Sequence, residues 1–314
     1  MHNKIFSKLQ ASTSRARSTI ESFSRNAPNK YKVYSIPKRT SGSRTIAHPS
    51  KELKYYQRAL AIILRPILTV HIRAYAYRTG LSIKDNAAIH AKNKYLLKMD
   101  FNDFFNSITP VMFFKICDKR KIKFSASEQR LLTRMLFWNK SRSANEKLVL
   151  SVGAPTSPLV SNFTMSLFDF LLHDECLSRG ITYSRYADDI TFSTNHKGIL
   201  FDIPLYVKAV LAERYDYGIT INESKTVFSS KAHNRHITGI TINNEGKLSL
   251  GRERKRVISS LVHQFKLNKL AIEDFAYLQG LLAFAQHIEP AFIIRLKNKY
   301  GESTVSNINK GLNI

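Results

Sequence analysis

The sequence is short of acidic residues, cysteine and long apolar runs, and each shortage excludes a class of protein. Its 314 residues contain 2 cysteines, Cys117 and Cys176, too few for the disulfide framework of a small secreted domain. Both lie in apolar stretches, where we expect buried thiols of a reducing compartment. The apolar run over residues 59–64 ends at Arg65 and is too short to span a bilayer. Residues 1–25 are polar and basic, unlike a signal peptide, so we expect a cytoplasmic protein that does not enter a membrane.

The shortage of acidic residues leaves a large positive charge. There are 49 Lys and Arg residues against 23 Asp and Glu residues, which gives a net charge of +26. A folded protein this basic repels itself unless a polyanion lies against it. Nucleic acid is the usual polyanion, because Lys and Arg displace condensed counterions from phosphates. A generically basic surface, or one that meets anionic lipid, is the alternative.

Apolar periodicity predicts strands mixed with helices, and therefore an α+β fold. We expect one long amphipathic helix over residues 159–177, and a helix over residues 85–93 with Asp85 as its N-cap. Residues 1–30 are predicted to form a short helix or a mobile basic arm, and the chain is predicted to be helical from Arg252 onward. The predicted strands are residues 31–36, 44–47, 95–100, 219–221, 226–228, 236–242 and 247–250, with two more about a tight turn in 181–193.

Two adjacent carboxylates lie in the middle of residues 183–193. Alternating apolar and aromatic residues on both sides predict a hairpin with Asp188 and Asp189 at or beside its turn. Such a pair repels itself unless a cation is bound, although an isolated Asp-Asp is also common in ordinary turns. Asp100 ends the strand over residues 95–100, and only the tertiary fold can bring it to the pair. Together the three would suit two Mg²⁺ ions, which prefer oxygen ligands.

Four segments, in the same order along the chain, resemble motifs of reverse transcriptases. Tyr186-Ala187-Asp188-Asp189 resembles the tetrapeptide most diagnostic of that family. The other three are residues 100–105 (Asp-Phe-Asn-Asp-Phe-Phe), 153–158 (Gly-Ala-Pro-Thr-Ser-Pro) and 222–226 (Asn-Glu-Ser-Lys-Thr). The resemblance covers residues 31–250. It implies a right-hand polymerase fold with fingers, a palm of antiparallel sheet plus helices, and a short helical thumb.

The same resemblance implies a division of the chain. Residues 1–30 would be a basic N-terminal arm or helix, and residues 31–95 the fingers with contributions to the palm. Residues 96–245 would be the palm with interleaved fingers segments, and residues 246–314 an RNA-binding thumb. No residues remain for an RNase H, integrase, endonuclease or maturase domain, so we expect a host RNase H to remove the copied RNA.

Motif matching also implies the roles of individual residues. Asp100, Asp188 and Asp189 would be the catalytic residues and would hold two Mg²⁺ ions, for which Mn²⁺ would substitute. Phe105 would be the steric gate that rejects a ribose 2′-hydroxyl by shape. The residues implied to bind the incoming nucleotide are Lys38, Arg44, Asp103, Phe105, Gly153, Ala154 and Lys225.

Some of these roles have plainer alternatives. Phe105 would otherwise be a core aromatic residue, although Phe104 is the better core candidate. Lys38 and Arg44 would otherwise belong to a solvated basic turn. Val152 departs from the family pattern, which usually has Gln before this Gly-Ala-Pro segment, so Val152 lacks the polar contact that Gln offers the nucleotide.

Two further segments resemble signatures of the retron-type reverse transcriptases. One is Asn86-Ala-Ala-Ile-His90, for which a capped helix with a hydrogen-bonded histidine is the plainer interpretation. The other is Ile237-Thr238-Gly239, which has Ile where the retron signature has Val. A basic cluster that follows would grip RNA phosphates, and it contains Arg252, Arg254, Lys255 and Arg256.

The retron resemblance implies a defined reaction and partners. The enzyme would copy a cognate structured non-coding RNA into branched msDNA, using dNTPs and priming from the 2′-OH of an internal guanosine. An accessory effector protein would join it in phage defence. The rival interpretations are a compact group II intron-like or diversity-generating reverse transcriptase, and a catalytically silent RNA-binding scaffold.

Overall fold

Strands and helices alternate along the chain, as the periodicity predicts. The computed structural model describes residues 4–37, 43–141, 143 and 147–310, apart from the side chains of Arg44, Asn309 and Lys310. The strands are β1 (Tyr31–Pro37), β2 (Ser43–Pro49), β3 (Tyr95–Asp100), β4 (Trp138–Asn139), β5 (Leu148–Val149), β6 (Thr182–Tyr186), β7 (Asp189–Thr194), β8 (Val227–Ser230), β9 (Arg235–Ile237), β10 (Ile240–Ile242) and β11 (Leu248–Ser249). The helices are α1 (Lys4–Thr13), α2 (Arg17–Arg25), α3 (Lys51–Leu64), α4 (Ile83–Ala88), α5 (Phe104–Ser107), α6 (Pro110–Lys119), α7 (Ala126–Leu136), α8 (Ser157–Thr164), α9 (Ser166–Ser178), α10 (Ile203–Tyr215), α11 (Arg252–Lys266), α12 (Ile272–Ile288), α13 (Pro290–Tyr300) and α14 (Glu302–Lys310).

A four-stranded antiparallel sheet with the order β6–β7–β3–β8 positions the site. Successive side chains of a strand point to opposite faces, and β3 uses both. Leu97 and Met99 join the larger hydrophobic cluster, which includes residues of α1–α3 and α5–α10. Leu96 joins a second cluster with α4, the β11–β10–β9 sheet and helices α11–α14. The central sheet therefore lies between two packed cores.

The first residues of the chain are part of the larger core. Residues 4–25 form α1 and α2, which confirms the helical alternative for this segment. Ile5, Leu9 and Ile20 are buried, and the amide of Ile5 donates to Glu128 Oε1 at 2.9 Å. Apolar residues at these helical spacings thus anchor a segment whose exposed face is basic.

The helix predicted over residues 159–177 is two helices. It breaks at Met165, between α8 and α9. The Thr164 hydroxyl donates to the Val160 carbonyl at 2.8 Å, and such back-bonding bends helices. Apolar residues continue at helical spacing on both sides of Met165, so the sequence pattern did not reveal the break between the two helices.

The N-cap predicted for the helix over residues 85–93 was also wrong. Ser82, not Asp85, is the N-cap of α4, and its hydroxyl accepts from the Asp85 amide at 3.4 Å. The Asp85 carboxylate in turn accepts from the Ser82 amide at 2.8 Å, which completes a capping box. Hydrogen bonds from Ser82 lower the pKa of Asp85. The helix is shorter than predicted and ends at Ala88.

Two predicted strands differ in the structure. Residues 236–242 form the hairpin β9–β10, because Thr238 and Gly239 adopt positive φ of 46° and 81° and turn the chain. Two such residues between paired strands are the pattern of a tight hairpin turn. Residues 219–221 form no strand and make a single bridge between Ile221 and Phe101.

The two cysteines are buried free thiols, as predicted. Burial raises the pKa of the Cys117 and Cys176 thiols to about 12, so neither is a reactive thiolate at neutral pH.

Within the described residues, the helices are all too short or too polar to cross a bilayer.

Candidate active site

The backbone brings the three predicted metal ligands to one end of the central sheet. Asp100, the last residue of β3, lies opposite Asp189, the first residue of β7. The Phe101 amide donates to the Asp188 carbonyl at 3.1 Å, which holds the chain after β3 against the hairpin turn. On the other side, the Asn222 amide donates to the Asp100 carbonyl at 2.7 Å. Antiparallel register thus places neighbouring carboxylates from two distant parts of the sequence.

The β6–β7 turn has an unusual backbone. Tyr186 pairs with Asp189, which leaves Ala187 and Asp188 as the turn. Ala187 has φ of 57°, in the left-handed region that favours glycine. Arg185 Nη1 donates to the Ala187 carbonyl at 3.0 Å, so a side chain from below the turn fixes this peptide. The turn that presents two aspartates is therefore held by the strand that leads into it.

Arg185 belongs to a fully buried ion pair. Its guanidinium donates to both carboxylate oxygens of Asp169 on α9, from Nε at 2.7 Å and from Nη2 at 2.6 Å, and neither side chain is exposed to solvent. The Tyr183 hydroxyl also donates to Asp169 at 2.7 Å. Arg185 Nη1 donates to Asn162 Oδ1 at 3.1 Å, and Asn162 Nδ2 donates to the Ala76 carbonyl at 2.8 Å. This network ties the turn to two helices and to the segment before α4.

The surroundings of Asp189 raise the pKa of its carboxyl. Although part of Asp189 is exposed, loss of water around its carboxyl, followed by the charges of Asp188 and Asp100, raises its pKa to about 6. Lys98 and Lys225 oppose this rise. Clustered carboxylates with a raised pKa are typical of a site that accepts a cation.

A cation of the protein itself already lies at this cluster. Lys225 Nζ is 2.8 Å from Asp100 Oδ1, and Asp100 is buried while Lys225 is exposed. Among the described residues, no three His, Cys, Asp or Glu side chains are arranged to hold a metal ion as they stand. The donors are oxygen ligands of the type Mg²⁺ prefers, and an ammonium already pairs with one of them. In chemistry and backbone placement, the three aspartates therefore fit a divalent metal.

Asp103 and Phe105 follow Asp100, in the turn after β3 and in α5. Asp103 has φ of 41° and precedes α5; its carboxylate accepts from Lys140 at 2.7 Å. Phe105 is half-buried, and its ring lies 6.5 Å from that of Tyr77, centroid to centroid. Phe104 is buried and stacks on Phe101. Phe104 therefore fills the core position, as expected, while Phe105 keeps part of its ring accessible.

The loop over residues 151–156 lies against β2. Ser151 Oγ donates to the Ala47 carbonyl at 2.7 Å. Gly153 is exposed and has φ of 105°, which a residue with a side chain rarely adopts, whereas Ala154 is buried. Val152 is half-buried beside them.

Lys38 and Arg44, the two basic residues predicted to clamp the triphosphate, come from the segment that contains β1 and β2, which pair as an antiparallel hairpin. The Arg44 backbone is part of β2, opposite Ile36. Lys38 lies outside the described residues.

The first retron signature is buried. His90 Nδ1 is 2.7 Å from Ser193 Oγ on β7, and its Nε2 is 2.8 Å from Ser184 Oγ on β6. Burial lowers the pKa of His90 to about 3, so the ring is neutral. Asn86 is buried on α4 and packs in the same region. These two side chains lie beneath the central sheet and are not exposed to a ligand.

The second retron-like signature, residues 237–239, contacts the basic cluster at the start of α11. The exposed Gly239 of the β9–β10 turn accepts from Arg254 through its carbonyl at 3.1 Å, and Arg254 lies over the Phe284 ring at 4.9 Å. Lys255 is engaged too, since it pairs with Glu289 at 2.7 Å.

Glu289 joins the elements around this cluster. It also accepts from Arg295 at 2.8 Å and from the Leu250 amide at 3.1 Å. Burial alone would raise the pKa of Glu289, but these hydrogen bonds lower it overall. Arg252 and Arg256 are exposed on α11. The cluster thus has two structural cations and two that face solvent.

Motif matching missed the residues that hold the site from beneath. Asp169 and Arg185 were not predicted, yet each left a signal. Asp169 interrupts the apolar run of α9, and the alternation of β6 puts Arg185 on the same buried face as Tyr183. A charged residue at a core position needs a buried partner, so the two signals point to each other.

Comparison with known proteins agrees with the site. The family described as reverse transcriptase (RNA-dependent DNA polymerase) matches residues 36–242. Retron Ec83 reverse transcriptase of Escherichia coli is 51% identical over 280 residues, which cover 89% of this chain and 90% of that protein. Retron Ec73 reverse transcriptase, also of Escherichia coli, is 32% identical over 305 residues, 95% of each chain.

Among solved structures, telomerase from Candida albicans with a fragment of telomeric RNA covers 94% of this chain and 64% of that one, at 14% identity and a TM-score of 0.45. That score is too low to bear on the fold. The family match spans more than half of the chain, and the retron relatives span nearly all of it. The chain therefore belongs to the reverse transcriptase family and, within it, to the retron reverse transcriptases, with the α+β fold of an RNA-directed DNA polymerase.

Proposed function

We propose that this enzyme copies a cognate structured RNA into branched msDNA, beginning from a 2′-hydroxyl of that RNA. One observation carries the proposal: Asp100 lies opposite Asp189 across β3 and β7 in a chain that belongs to the retron reverse transcriptases. In each cycle a hydroxyl oxygen attacks the α-phosphorus of a dNTP, a new phosphodiester bond forms, and the bond to pyrophosphate breaks.

Asp100, Asp188 and Asp189 are proposed to hold two Mg²⁺ ions, with Mn²⁺ as a substitute. Such ions activate the attacking oxygen and stabilise the leaving pyrophosphate. Burial and then the charges of Asp188 and Asp100 raise the pKa of Asp189, and a bound cation would offset the repulsion among the three carboxylates. Lys225 neutralises part of this charge and is exposed enough to turn toward a triphosphate.

Four further groups are proposed to receive the nucleotide. The half-buried Phe105 ring would close the floor beneath the sugar and clash with a 2′-hydroxyl. Asp103, held by Lys140, would lie beside the triphosphate. The exposed Gly153 lets a nucleotide approach the backbone closely, with Ala154 packed behind it.

Lys38 and Arg44 are proposed to clamp the triphosphate. Lys offers a point charge, and the Arg guanidinium can form two parallel hydrogen bonds with a phosphate.

We also propose the division of the chain that the family resemblance implies, with residues 1–30 as a basic N-terminal arm or helix. Fingers would comprise residues 31–95, the palm residues 96–245 and an RNA-binding thumb residues 246–314. Arg252 and Arg256 are the thumb cations proposed to contact RNA, because both are exposed. In this role Arg254 and the β9–β10 turn would position them.

The wider setting is proposed from the retron membership. The partners would be the non-coding RNA, its msDNA product, a host RNase H and an accessory effector protein in phage defence. A cytoplasmic location is proposed as well, and the two buried free thiols support it.

The test is to purify the protein from cells that carry its own upstream locus and to deproteinise the bound nucleic acid. A short DNA that changes size on treatment with debranching enzyme, and is absent with Asp188→Asn/Asp189→Asn, is the expected result. Linear DNA alone, from an enzyme that still extends an added primer, would keep the polymerase and contradict the branched product.

A further inference from the structure

A concavity of about 760 Å³ lies at the base of the β1–β2 hairpin, away from the carboxylates. Basic side chains dominate its lining, and none of its lining residues is acidic. We call it the basic concavity. Its basic residues are Lys30, Lys32, His48, Lys51, Lys54 and Arg58.

The local structure explains why the cations converge. Lys51, Lys54 and Arg58 have helical spacings of three and four residues, so they form one stripe along α3. On the hairpin, Lys32 lies opposite His48. A strand pair and a helix thus present their basic faces to one hollow.

A buried hydrogen bond fixes the angle between these two elements. Gln57, on α3, donates to the Tyr31 hydroxyl at 3.0 Å and to the Met135 carbonyl at 2.9 Å. Gln57 is fully buried, so the hollow is built by packing and does not depend on loops.

The charges of the basic concavity are not neutralised within the described part of the chain. None of its five Lys and Arg side chains forms a salt bridge there. Lys54 Nζ lies within hydrogen-bonding distance of His48 Nε2. Glu52 is also on α3, but it does not line the concavity. After burial, its charge contributes to the raised pKa of Tyr56. By contrast, Lys255 and Arg295 in the C-terminal core share Glu289.

We propose that the basic concavity binds the phosphodiester backbone of a double-helical segment of RNA. The lining suits phosphates better than bases. Tyr31 is only half-exposed and its hydroxyl accepts from Gln57, and the amide group of Asn29 already bonds Asn26 and Asn139. Backbone contacts position a helix without reading its sequence, which is how proteins grip duplex RNA.

An RNA partner is favoured over an anionic membrane. Peripheral membrane binding combines basic residues with apolar side chains that enter the lipid. Among the described residues that line it, Tyr31 and Pro49 alone are apolar, and Pro49 is buried. The inference rests on the proposed RNA-copying function, because it takes its ligand from there.

The position of the basic concavity makes it a second, separate contact. From Lys32 to Pro37 the hairpin extends by about 17 Å at the usual rise of a strand. The backbone of Arg44, one of the residues proposed to clamp the triphosphate, lies toward the other end of this hairpin, opposite Ile36. RNA bound at its base would therefore be structured RNA outside the hybrid being copied.

The test compares two triple variants that remove equal charge. Lys51→Ala/Lys54→Ala/Arg58→Ala removes the three positive charges on α3. The control, Lys8→Ala/Lys119→Ala/Lys123→Ala, removes three exposed lysines elsewhere. Binding of a labelled RNA duplex is measured by fluorescence anisotropy between about 50 and 200 mM salt.

The α3 variant is expected to bind about tenfold more weakly at the lower salt, and to lose about 2–3 from the slope of log affinity against log salt. The control variant should keep the slope of the unmodified protein. Lys51→Arg/Lys54→Arg keeps both charges and should bind the RNA duplex as tightly as the unmodified protein. Equal losses in both triple variants, or no loss in either, would overturn the proposal. So would a loss of binding to phosphatidylserine vesicles with RNA binding intact.

Two further measurements separate this proposal from the proposed function. Thermal unfolding of each variant shows whether a loss of binding comes from a loss of folding. Primer extension on a short annealed template, which the α3 variant should perform with an unchanged kcat, reports the polymerase alone. Failure of the unmodified protein to extend any primer would remove the proposed function and leave the duplex-binding result to decide the basic concavity.

Discussion

The carboxylate end of the central sheet and the basic concavity hold their charges in opposite ways. At the carboxylate end, Asp100 and Asp189 are neighbours in register, Lys225 pairs with Asp100, and a buried Arg185–Asp169 pair fixes the turn. In the basic concavity, exposed and partly exposed cations lie on one stripe of α3 and on the β1–β2 hairpin, and none has an acidic partner among the described residues. Like charges brought close together need a rigid frame, whereas a surface that tracks a polyanion needs only enough charge.

This difference predicts how the two regions respond to mutation. At the carboxylate end, changes of a single atom or of a buried partner should have large effects. In the basic concavity, effects should scale with the number of charges removed, and Lys and Arg should replace each other.

The largest effect should come from the carboxylates themselves. Asp188→Asn/Asp189→Asn should lower kcat on an RNA template by at least about a thousandfold, because metal ions contribute several kcal/mol of transition-state stabilisation. Binding to an RNA duplex should be unchanged, since the basic concavity is untouched. Primer extension and anisotropy measure the two, and a variant with near-normal kcat would remove these residues from catalysis.

The next largest effect should come from the buried Arg185–Asp169 ion pair that holds the β6–β7 turn. Asp169→Ala leaves Arg185 buried without its partner and should lower the free energy of unfolding by about 3–5 kcal/mol. Asp174→Ala is the matched control, because Asp174 lies on the same helix but is exposed, and it should change stability by less than about 0.5 kcal/mol. Urea denaturation compares them. Equal stabilities would show that the buried pair does not hold the turn.

A smaller effect is expected at the sugar. Phe105→Ala should lower the preference for dNTPs over rNTPs by about a hundredfold, since a pocket that rejects one hydroxyl by shape loses its wall. Phe105→Tyr keeps a ring of similar shape and serves as the control. The ratio of kcat/KM for the two nucleotides is the readout. An unchanged ratio in Phe105→Ala would leave the discrimination to another residue.

The smallest of these effects is a pH dependence. Loss of water and the neighbouring carboxylates raise the pKa of Asp189 to about 6, so the folded protein holds this proton more tightly than the unfolded chain. Its ionisation therefore disfavours the metal-free fold as pH rises from about 4 to 6. Metal binding competes with the same proton, so affinity should fall about tenfold per unit below pH 6.

Isothermal titration with Mn²⁺ at several pH values measures this competition. Asp100→Asn removes one of the charges that repel Asp189, so the pKa of Asp189, followed by NMR titration without metal, should be lower in that variant. A midpoint that stays near the usual carboxyl range in the unmodified protein would contradict the raised pKa of Asp189, to which burial and the neighbouring carboxylates both contribute.

Local patterns predicted much of this molecule. Alternation identified the β6–β7 hairpin, and motif order identified the aspartates that register later brings together. Helical spacing found most helices, and it failed at Met165, where the Thr164 side chain interrupts an otherwise continuous apolar pattern.

What the sequence did not predict depends on distant partners. Asp169 and Arg185 make an ion pair whose meaning appears only when α9 packs beneath the sheet. The sequence identified His90 as part of a retron-like signature. Its two serine partners come from β6 and β7, about a hundred residues away in the chain. The salt bridge between Lys225 and Asp100 likewise needs the β3–β8 pairing. Patterns in one segment report its local structure, while these contacts are decided by tertiary packing.

The most direct test of the central claim is to count the ions at the carboxylate end. Mn²⁺ binding is followed by electron paramagnetic resonance with an RNA–DNA primer-template and an incoming dNTP, on a primer that lacks the attacking hydroxyl. Two bound ions in the unmodified protein, lost in Asp188→Asn/Asp189→Asn while the primer-template stays bound, is the result we predict. The same number of bound ions in both proteins would show that these aspartates are not the metal centre.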